Sequence, residues 1–203
     1  MADISSAARA SIMEWRRAER SRQIESRLRV PVAERQEASA AIATRIDAYC
    51  RDRKLLESRP VVSGYWPLRG EPDLRPWLGK LHDQGLTVVL PVVVEKATPL
   101  RFRRWYPGCA MEKGFWNIPV PAALEEFTPQ VLLAPVVAWD PARCYRLGYG
   151  GGYFDRTLAS LDAQGASYHT IGVGYAAARL NSFEALPHDI RLDVIVTENA
   201  LIE

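Results

Sequence analysis

The segment that most restricts the possible folds of this 203-residue chain is residues 86–94, Leu-Thr-Val-Val-Leu-Pro-Val-Val-Val. It is almost entirely apolar and β-branched, without the alternation of a strand that has one wet face. Such a strand is buried on both faces, which is typical of a parallel or mixed sheet covered by helices. The other predicted strands are residues 60–66, 100–105, 131–139, 169–175 and 192–197.

Helical patterns lie before and between these strands. The first predicted helix covers residues 4–28 and ends before Pro31, with Ile12, Trp15 and Ile24 as its expected core contacts. A second covers residues 33–53 and has an apolar face. Shorter helices are expected to end near residue 81 and to follow residue 152.

This alternation predicts an α/β fold with one mixed, mostly parallel sheet of about six strands and helices on both faces. Residues 1–203 form a single domain in this prediction, and residues 1–55 are a helical pair packed on it. Strand order is not readable from the sequence.

The composition argues against several classes of protein. There are 26 Lys and Arg against 24 Asp and Glu, and a formal net charge of +2 does not suit general nucleic-acid binding. Three unpatterned cysteines fit a reducing compartment and neither a disulfide framework nor a Cys-rich zinc site. No run approaches the roughly 18 apolar residues of a membrane span. We expect a cytoplasmic protein that binds neither nucleic acid nor membranes.

Candidate chemistry concentrates in residues 146–156, Arg-Leu-Gly-Tyr-Gly-Gly-Gly-Tyr-Phe-Asp-Arg. A glycine-rich loop between a strand and a helix presents backbone N–H groups and a helix N-terminus to an anion. The spacing matches neither the P-loop nor the dinucleotide fingerprint, and a tight turn explains the glycines alone about equally well. The flanking Arg146, Tyr149, Tyr153, Asp155 and Arg156 favour phosphate binding, because a plain turn has little use for them.

The pattern Arg-Leu-Gly-x-Gly-x-Gly-Tyr-Tyr/Phe-Asp-Arg, after an apolar strand that ends in Asp140, resembles the signature loop of the 5-formyltetrahydrofolate cyclo-ligase family, also called 5,10-methenyltetrahydrofolate synthetase. The phrase Trp-Asn-Ile-Pro-x-Pro at residues 116–121 and a Pro and Asp at 187–189 fit in the same order, so the resemblance covers nearly the whole chain. It implies ATP-dependent, Mg²⁺-dependent closure of 5-formyltetrahydrofolate to 5,10-methenyltetrahydrofolate, with release of ADP and phosphate.

The resemblance implies a nucleotide site. In the family a basic residue, often Lys, and an Arg four positions later contact the ATP phosphates, and Arg16 and Arg20 match that spacing, with Arg17 as a near alternative. Arg17 and Arg27 are expected elsewhere around the helix. From the residues alone, a solvated basic face is the plainer interpretation. The implied ATP-binding residues are Arg16, Arg20, Arg146, Leu147, Gly148, Tyr149, Gly150, Gly151, Gly152, Tyr153 and Phe154.

The resemblance also implies a folate site and a catalytic pair, Arg146 and Tyr153. From the residues alone, Trp66 could equally be a core residue and Glu71 a helix N-terminal acid. Trp116 could equally be a packing anchor. The implied substrate-binding residues are Trp66, Glu71, Trp116, Tyr149, Gly150, Gly151, Gly152 and Tyr153.

Asp155 and Asp189 are implied as ligands of Mg²⁺ near the nucleotide phosphates. Their distance in the chain gives no ligand spacing, and each could equally be a helix cap or a surface charge. Mg²⁺ is usually held by one or two carboxylates together with phosphate oxygens and waters, which makes the pair chemically reasonable.

We therefore expect ATP as co-substrate, Mg²⁺ as cofactor, 5-formyltetrahydrofolate as substrate, and a monomer. Two alternatives remain at this stage. One is another α/β protein that binds a nucleotide or sugar phosphate at the same loop, and the other is a non-catalytic nucleotide-binding module.

Overall fold

The computed structural model describes residues 5–203 and contains the four predicted helices. Their bounds are α1 Ser6–Arg29, α2 Val32–Asp52, α3 Arg75–Asp83 and α4 Tyr153–Ala163. Ser5 caps α1, because its hydroxyl accepts a hydrogen bond from the Ala8 N–H at 3.2 Å. Residue 4, where the first helix was predicted to start, lies outside the described residues.

The strands are short, and all six predicted strand regions contain one. Their bounds are β1 Val62–Ser63, β2 Val88–Val92, β3 Arg101–Arg104, β4 Met111–Lys113, β5 Pro119–Pro121, β6 Val131–Pro135, β7 Ala138–Trp139, β8 Arg146–Leu147, β9 His169–Val173, β10 Val194–Val196 and β11 Leu201–Ile202. The 3₁₀ turns Phe115–Asn117 and Ala176–Ala178 complete the regular structure of the described chain.

The main sheet has seven strands in the order β11-β10-β9-β6-β1-β2-β3. The five central strands are parallel, while the edge strands β3 and β11 run antiparallel to their neighbours. The prediction of a mostly parallel mixed sheet is confirmed. Its seventh strand, β11, is only two residues long and gave too weak a pattern to be predicted.

Two small hairpins correct the prediction in detail. Residues 131–139 are not one strand, because the Val136 N–H donates to Val173 O in the sheet whereas the Val137 N–H donates to Leu147 O. The chain thus leaves the sheet after β6, and β7 pairs with β8 instead. Residues 115–121 were expected to be a loop, but their last part is β5, which pairs with β4.

Helices cover both faces of the sheet, as predicted. Alternate residues of a strand point to opposite faces, so each face has its own apolar cluster. On one face Val131 and Leu133 of β6 pack in a cluster with residues of α2 and α3. On the other face Leu132 and Ala134 pack in a cluster with Leu158 of α4. All four of these β6 side chains are at most 2% exposed, so the central strand is buried on both sides.

The parallel neighbours β1 and β6 mark the point in the sheet from which successive strands are added in opposite directions. From β1 the chain crosses through α3 to β2 on one side, and from β6 it crosses through α4 to β9 on the other. The loops that leave the carboxyl ends of β1 and β6 therefore diverge and leave a crevice. Open α/β sheets bind their ligands at such a position.

Helix α1 does not fit the expectation of an apolar contact face. Ile12 is buried, but Trp15 is 38% exposed and Ile24 is half-buried. The other buried residues of α1 are polar: Arg16, Gln23 and Arg27. The predicted contact of Trp15 was wrong, because the inward face of this helix is occupied by side chains that reach the crevice. Among the described helices, none is long and apolar enough to cross a membrane.

Candidate active site

The glycine loop, residues 148–152, connects β8 to α4 at the crevice. Gly150 has a φ of +93° and Gly152, the N-cap of α4, has a φ of +65°, so both positions need glycine. Within residues 5–203, the backbone N–H groups of residues 149–154 donate no hydrogen bond. A row of free amides that ends in a helix N-terminus is an anion-binding geometry.

Two arginines lie directly against this loop. Arg20 Nε donates to Gly148 O at 2.7 Å, and a Cβ on Gly150 would lie 3.2 Å from Arg20 Cζ. Arg156 Nη2 donates to Gly151 O, and its guanidinium lies 5.0 Å from the ring centroid of Tyr153. Burial lowers the pKa of Arg20, and repulsion by Arg16 adds to the effect. Gly150 and Gly151 stay exposed, so this part of the loop is accessible to a ligand.

Arg16 and Asp189 form a buried ion pair. Arg16 Nη1 and Nη2 donate to the two carboxylate oxygens at 3.0 and 2.5 Å, and Nη2 also donates to Glu184 O at 2.7 Å. Burial alone would raise the pKa of Asp189, but the hydrogen bonds from Arg16 and the Leu186 N–H outweigh it and lower the pKa. Arg17 is exposed, so Arg16 rather than Arg17 points into the site.

Arg146 lies behind the glycine loop and holds Asp155. Its Nη2 donates to Asp155 Oδ1 at 2.9 Å and its Nη1 donates to Ile190 O at 2.7 Å. Burial lowers the pKa of Arg146, and the Asp155 carboxylate opposes this effect. The Ile190 N–H also donates to Asp155 Oδ1, at 3.1 Å, which brings Asp155 beside the segment that contains Asp189.

The two predicted metal ligands differ in what they can offer a cation. Asp155 is 21% exposed at its side chain, and in the described chain its Oδ2 accepts no hydrogen bond. Both oxygens of Asp189 already accept from Arg16, and Oδ2 also accepts from the Leu186 N–H at 2.6 Å. Asp155 therefore fits a hard cation such as Mg²⁺, whereas Asp189 would first have to release Arg16.

No group of three or more His, Cys, Asp or Glu residues placed to hold a metal occurs in residues 5–203. A cation bound at Asp155 would need further oxygen ligands from a bound phosphate or from water, as Mg²⁺ usually has.

Across the crevice stands the acid turn, residues 68–71, which follows β1. Glu71 is 6% exposed; its Oε2 accepts from the Leu68 N–H at 2.8 Å, and its Oε1 is buried without a hydrogen-bond partner. Burial raises the pKa of Glu71 to about 7, although Leu68 N–H, Arg27 and Tyr149 act in the opposite direction. An unpartnered buried carboxylate oxygen is costly and points to a ligand that donates hydrogen bonds.

Tyr149 joins the two walls of the crevice. Its hydroxyl donates to Leu68 O at 3.3 Å in the acid turn, although the residue itself belongs to the glycine loop. Burial raises the pKa of this hydroxyl, with Glu71 adding to the effect. The predicted anion loop and the predicted acid are therefore brought together, as the proposed site requires.

An aromatic pair lies at the start of α4. The rings of Trp116 and Tyr153 meet edge to face with centroids 5.8 Å apart, and the Tyr153 hydroxyl accepts from the Ala97 N–H at 3.4 Å. Trp116 is 59% exposed and has a φ of +55°, an unfavourable conformation for a bulky residue. A strained and exposed Trp has little value as a packing anchor, so the geometry favours contact with a ligand.

Three of the predicted residues have mainly structural surroundings. Leu147 is 1% exposed in an apolar cluster, so it can reach a ligand only through its backbone. Phe154 is half-buried, with the Arg146 guanidinium 5.7 Å from its ring centroid. Trp66 packs on the main core, with the guanidinium of Arg75 4.6 Å above its ring.

Arg27 is a site residue that the sequence analysis missed, and its expected position elsewhere around the helix was wrong. It is 6% exposed and donates from Nε to Arg69 O at 2.8 Å and from Nη2 to Tyr149 Oη. The available signal was the spacing of Arg16, Arg20 and Arg27, since offsets of 4 and 11 residues return to the same helical face.

These features define an α/β protein with an anion-binding loop geometry beside a buried acid, at the carboxyl edge of its sheet. A model of the 5-formyltetrahydrofolate cyclo-ligase family matches residues 12–198. The chain belongs to this family, which confirms the resemblance seen in the sequence and makes the protein an enzyme of the ligase class that acts on a folate.

Individual relatives agree with this assignment. A 5-formyltetrahydrofolate cyclo-ligase from Mycolicibacterium smegmatis is 32% identical over 144 residues, which are 67% of this chain and 72% of that protein. The Escherichia coli K12 protein of the same name is 32% identical over 151 residues, 70% of this chain and 80% of that one. The solved structure of Aquifex aeolicus 5,10-methenyltetrahydrofolate synthetase matches with a TM-score of 0.73 and 25% identity, over 93% of this chain and 92% of that one.

Proposed function

We propose that this enzyme uses ATP and Mg²⁺ to close 5-formyltetrahydrofolate to 5,10-methenyltetrahydrofolate, releasing ADP and phosphate. The observation that carries the proposal is the row of N–H groups at residues 149–154 without a partner in the described chain, together with the unpartnered oxygen of Glu71. Tyr149 connects the two features. One ligand rich in phosphate oxygens and a second rich in N–H donors are the natural occupants.

The reaction begins with a formamide, whose carbonyl carbon is a poor electrophile and whose oxygen is a poor leaving group. In the proposed route, the formyl oxygen attacks the γ-phosphorus of ATP, its bond to phosphorus forms, and ADP leaves. N10 of the folate then attacks the activated carbon and loses its proton, and the C–O bond breaks as phosphate departs. Phosphoryl transfer of this kind needs mainly positioning and neutralisation of charge.

The phosphate side of the site supplies both. Amides of the glycine loop and the N-terminus of α4 bind the phosphate oxygens, and Arg20 adds a positive charge against Gly150. Arg16 can contribute once a phosphate competes with Asp189 for its guanidinium. Arg146 is placed to orient Asp155, so its proposed catalytic role acts through that carboxylate as well as through its charge.

Asp155 Oδ2 is the protein oxygen that would hold Mg²⁺ together with the nucleotide phosphates, and Asp189 would join after releasing Arg16. Bound there, Mg²⁺ would neutralise charge on the phosphate oxygens. Asp155 itself is fixed by two donors on its other oxygen, Arg146 Nη2 and the Ile190 N–H, so its free oxygen has a defined direction.

On the folate side, Glu71 would accept hydrogen bonds from the N–H groups of the pterin ring through its unpartnered Oε1. Trp116 and Tyr153 would contact the flat ring, and Trp66 would close the apolar wall near the end of β1. The Tyr153 side chain also lies at the N-terminus of α4, where the phosphates would bind. It is therefore the residue best placed to touch both substrates.

The direct test mixes the purified protein with 5-formyltetrahydrofolate and MgATP and follows the near-ultraviolet absorbance of the methenyl product. We expect a signal that requires ATP and Mg²⁺ and that releases one phosphate for each ring closed. Binding of ATP without any methenyl product would contradict the proposal and would favour a different nucleotide-dependent reaction. Sedimentation of the same sample would test the expected monomer.

A further inference from the structure

The acid turn is an unusual piece of backbone that needs external support. Arg69 and Gly70 both have positive φ, +46° and +77°, and Arg69 is not a glycine, so the turn is strained. Three successive carbonyls of this turn accept hydrogen bonds from side chains of other segments. Arg27 Nη2 donates to Leu68 O at 3.3 Å, Arg27 Nε donates to Arg69 O at 2.8 Å, and Tyr175 Oη donates to Gly70 O at 3.0 Å.

The same guanidinium faces the acid that the turn presents. Arg27 Nη2 lies 3.8 Å from Glu71 Oε1, too far for a hydrogen bond but close enough for a strong charge interaction in a buried site. Their side chains are 6% and 2% exposed. The charge of Glu71 is thus balanced while its Oε1 remains available to a ligand.

Arg27 also reaches the glycine loop. Its Nη2 donates to the hydroxyl of Tyr149, which in turn donates to Leu68 O. One buried guanidinium on α1 therefore contacts the acid turn, the acid itself and the phosphate-binding loop. Arg20, seven residues before Arg27 on the same face of the helix, donates instead to Gly148 O in the glycine loop.

We propose that Arg27 is a positioning residue for the folate: it holds the strained acid turn and Tyr149 so that the unpartnered Glu71 Oε1 points at the pterin. This inference rests on the proposed function and assigns a further residue to it. Arg27 touches neither reacting atom. Its effect is exerted through Glu71 and through the distance between the two walls of the crevice.

A purely structural role for Arg27 predicts something different. If Arg27 only fastened α1 to the acid turn, its loss would lower stability and leave folate binding by the folded enzyme unchanged. Positioning predicts a higher KM for 5-formyltetrahydrofolate, with a smaller change in the KM for ATP. It also predicts a shifted pH profile, because the groups that face Glu71 are Arg27, Tyr149 and Tyr65, and Arg27 is the cation among them.

The test compares three full-length variants with the wild type in the ring-closure assay, at pH values from 6 to 9. Arg27→Met keeps the length and removes all donors and charge, whereas Arg27→Lys keeps the charge and cannot make the same set of hydrogen bonds. Arg29→Met is the matched control, because Arg29 is on the same helix, is 81% exposed and has only a 3.9 Å contact with Glu25.

We expect Arg27→Met to raise the folate KM at least tenfold and to move its pH dependence to higher pH, since Glu71 loses its neighbouring cation. Arg27→Lys should restore the pH profile and only part of the KM, and Arg29→Met should match the wild type. A folate KM within twofold of the wild type in the folded Arg27 variants would overturn the proposal. If Arg27→Met does not fold, Arg27→Lys decides by the same criterion. An inactive wild type would instead count against the proposed function itself.

Discussion

The two walls of the crevice differ in how their charged side chains are paired. We call them the phosphate half, which is the glycine loop with its arginines and aspartates, and the acid half, which is the acid turn with Glu71. In the phosphate half every carboxylate has an arginine, since Arg16 pairs with Asp189 at 2.5 Å and Arg146 pairs with Asp155 at 2.9 Å. In the acid half Glu71 has its nearest cation at 3.8 Å and keeps one buried oxygen without a partner. The carboxylates of the phosphate half are neutralised by arginines at hydrogen-bonding distance, whereas Glu71 in the acid half has no hydrogen-bonded cation.

This difference indicates how each half meets its ligand. A phosphate that binds beside Arg16 must compete with the Asp189 carboxylate, so binding of the nucleotide is coupled to breaking of this ion pair. The acid half already carries the desolvation cost of Glu71, and a pterin N–H would relieve it. ATP kinetics should therefore respond most to substitutions that remove charge from the phosphate half, and folate binding should respond most to pH through the acid half.

The largest effect on turnover is expected from Arg146→Ala. It removes a buried cation, so Asp155 loses its charged partner and keeps only the hydrogen bond from the Ile190 N–H. The kcat/KM for ATP should fall at least about 100-fold, the order of a lost charge-stabilising group. Breaking a buried pair should also cost about 3 kcal/mol of unfolding free energy, measured by urea denaturation. Arg143→Ala is the control, because the side chain of Arg143 is 55% exposed. ATP kinetics within threefold of the wild type would contradict the role.

A backbone change in the phosphate half should have the next largest effect. Gly150→Ala places a Cβ 3.2 Å from Arg20 Cζ at a φ of +93°, so we expect the KM for ATP to rise about tenfold and stability to fall by about 1–2 kcal/mol. Gly148→Ala is the comparison, because a Cβ there meets no atom within 4 Å and φ lies outside the left-handed region. Equal stability losses in the two variants would show that the loop geometry is not what requires Gly150.

The acid half should be distinguished by its response to pH. Since the pKa of Glu71 is about 7, its ionised fraction rises from about one tenth at pH 6 to about nine tenths at pH 8. An ionised carboxylate is the better acceptor for pterin N–H groups, so the folate KM should fall several-fold over this range. In Glu71→Gln that slope should disappear, and the two enzymes should differ least at pH 6. A slope that persists in the variant would assign it to another group.

The same pKa gives a prediction for stability with a defined sign. The pKa of Glu71 in the folded protein is above its ordinary value of 4.5, so the folded state binds the proton more tightly than the unfolded state. Stability is therefore lost as pH rises from about 4.5 to 7, while Glu71→Gln should lack this loss. Thermal unfolding at pH 5 and pH 8 measures it, and a larger loss of stability in the variant than in the wild type would contradict the buried charge.

Much of the fold could be predicted because burial on both faces leaves a direct trace in the sequence. Residues 86–94 and 131–139 had no polar alternation, and the structure confirms the sandwiched sheet. The edge strand β11 and the hairpin turn after β6 could not be predicted. Strand β11 is only two residues long and pairs with β10 in a short hairpin. The break after β6 depends on the Val137 N–H, which donates to Leu147 O rather than to the main sheet.

The candidate site was predictable where a single segment carries several of its parts. The glycine loop with Arg146 and Asp155 is contiguous, so its chemistry is visible as a motif. Glu71 and Arg27 are 44 positions apart and meet only because α1 packs against the turn that follows β1. Charge at a helical spacing indicated a face, but nothing in the sequence indicated what that face would contact.

The smallest kinetic effect should separate the two carboxylates of the phosphate half. Asp155→Asn removes the free Oδ2 charge, and the Mg²⁺ concentration for half-maximal rate should rise about threefold to tenfold, in the range of weakened metal ligation. Asp189→Asn should change the Mg²⁺ titration less and lower stability instead, because it breaks the pair with Arg16.

The pKa of Asp189 is lowered in the folded protein, so the contribution of this ion pair to folding stability is present at neutral pH and is lost as pH falls below 4. Urea denaturation at pH 7 and pH 3 together with Mg²⁺ titrations of both variants makes the comparison. An equal rise in the half-maximal Mg²⁺ concentration in the two variants would show that Asp189 releases Arg16 and binds the metal. The Arg16–Asp189 ion pair would then be broken during turnover.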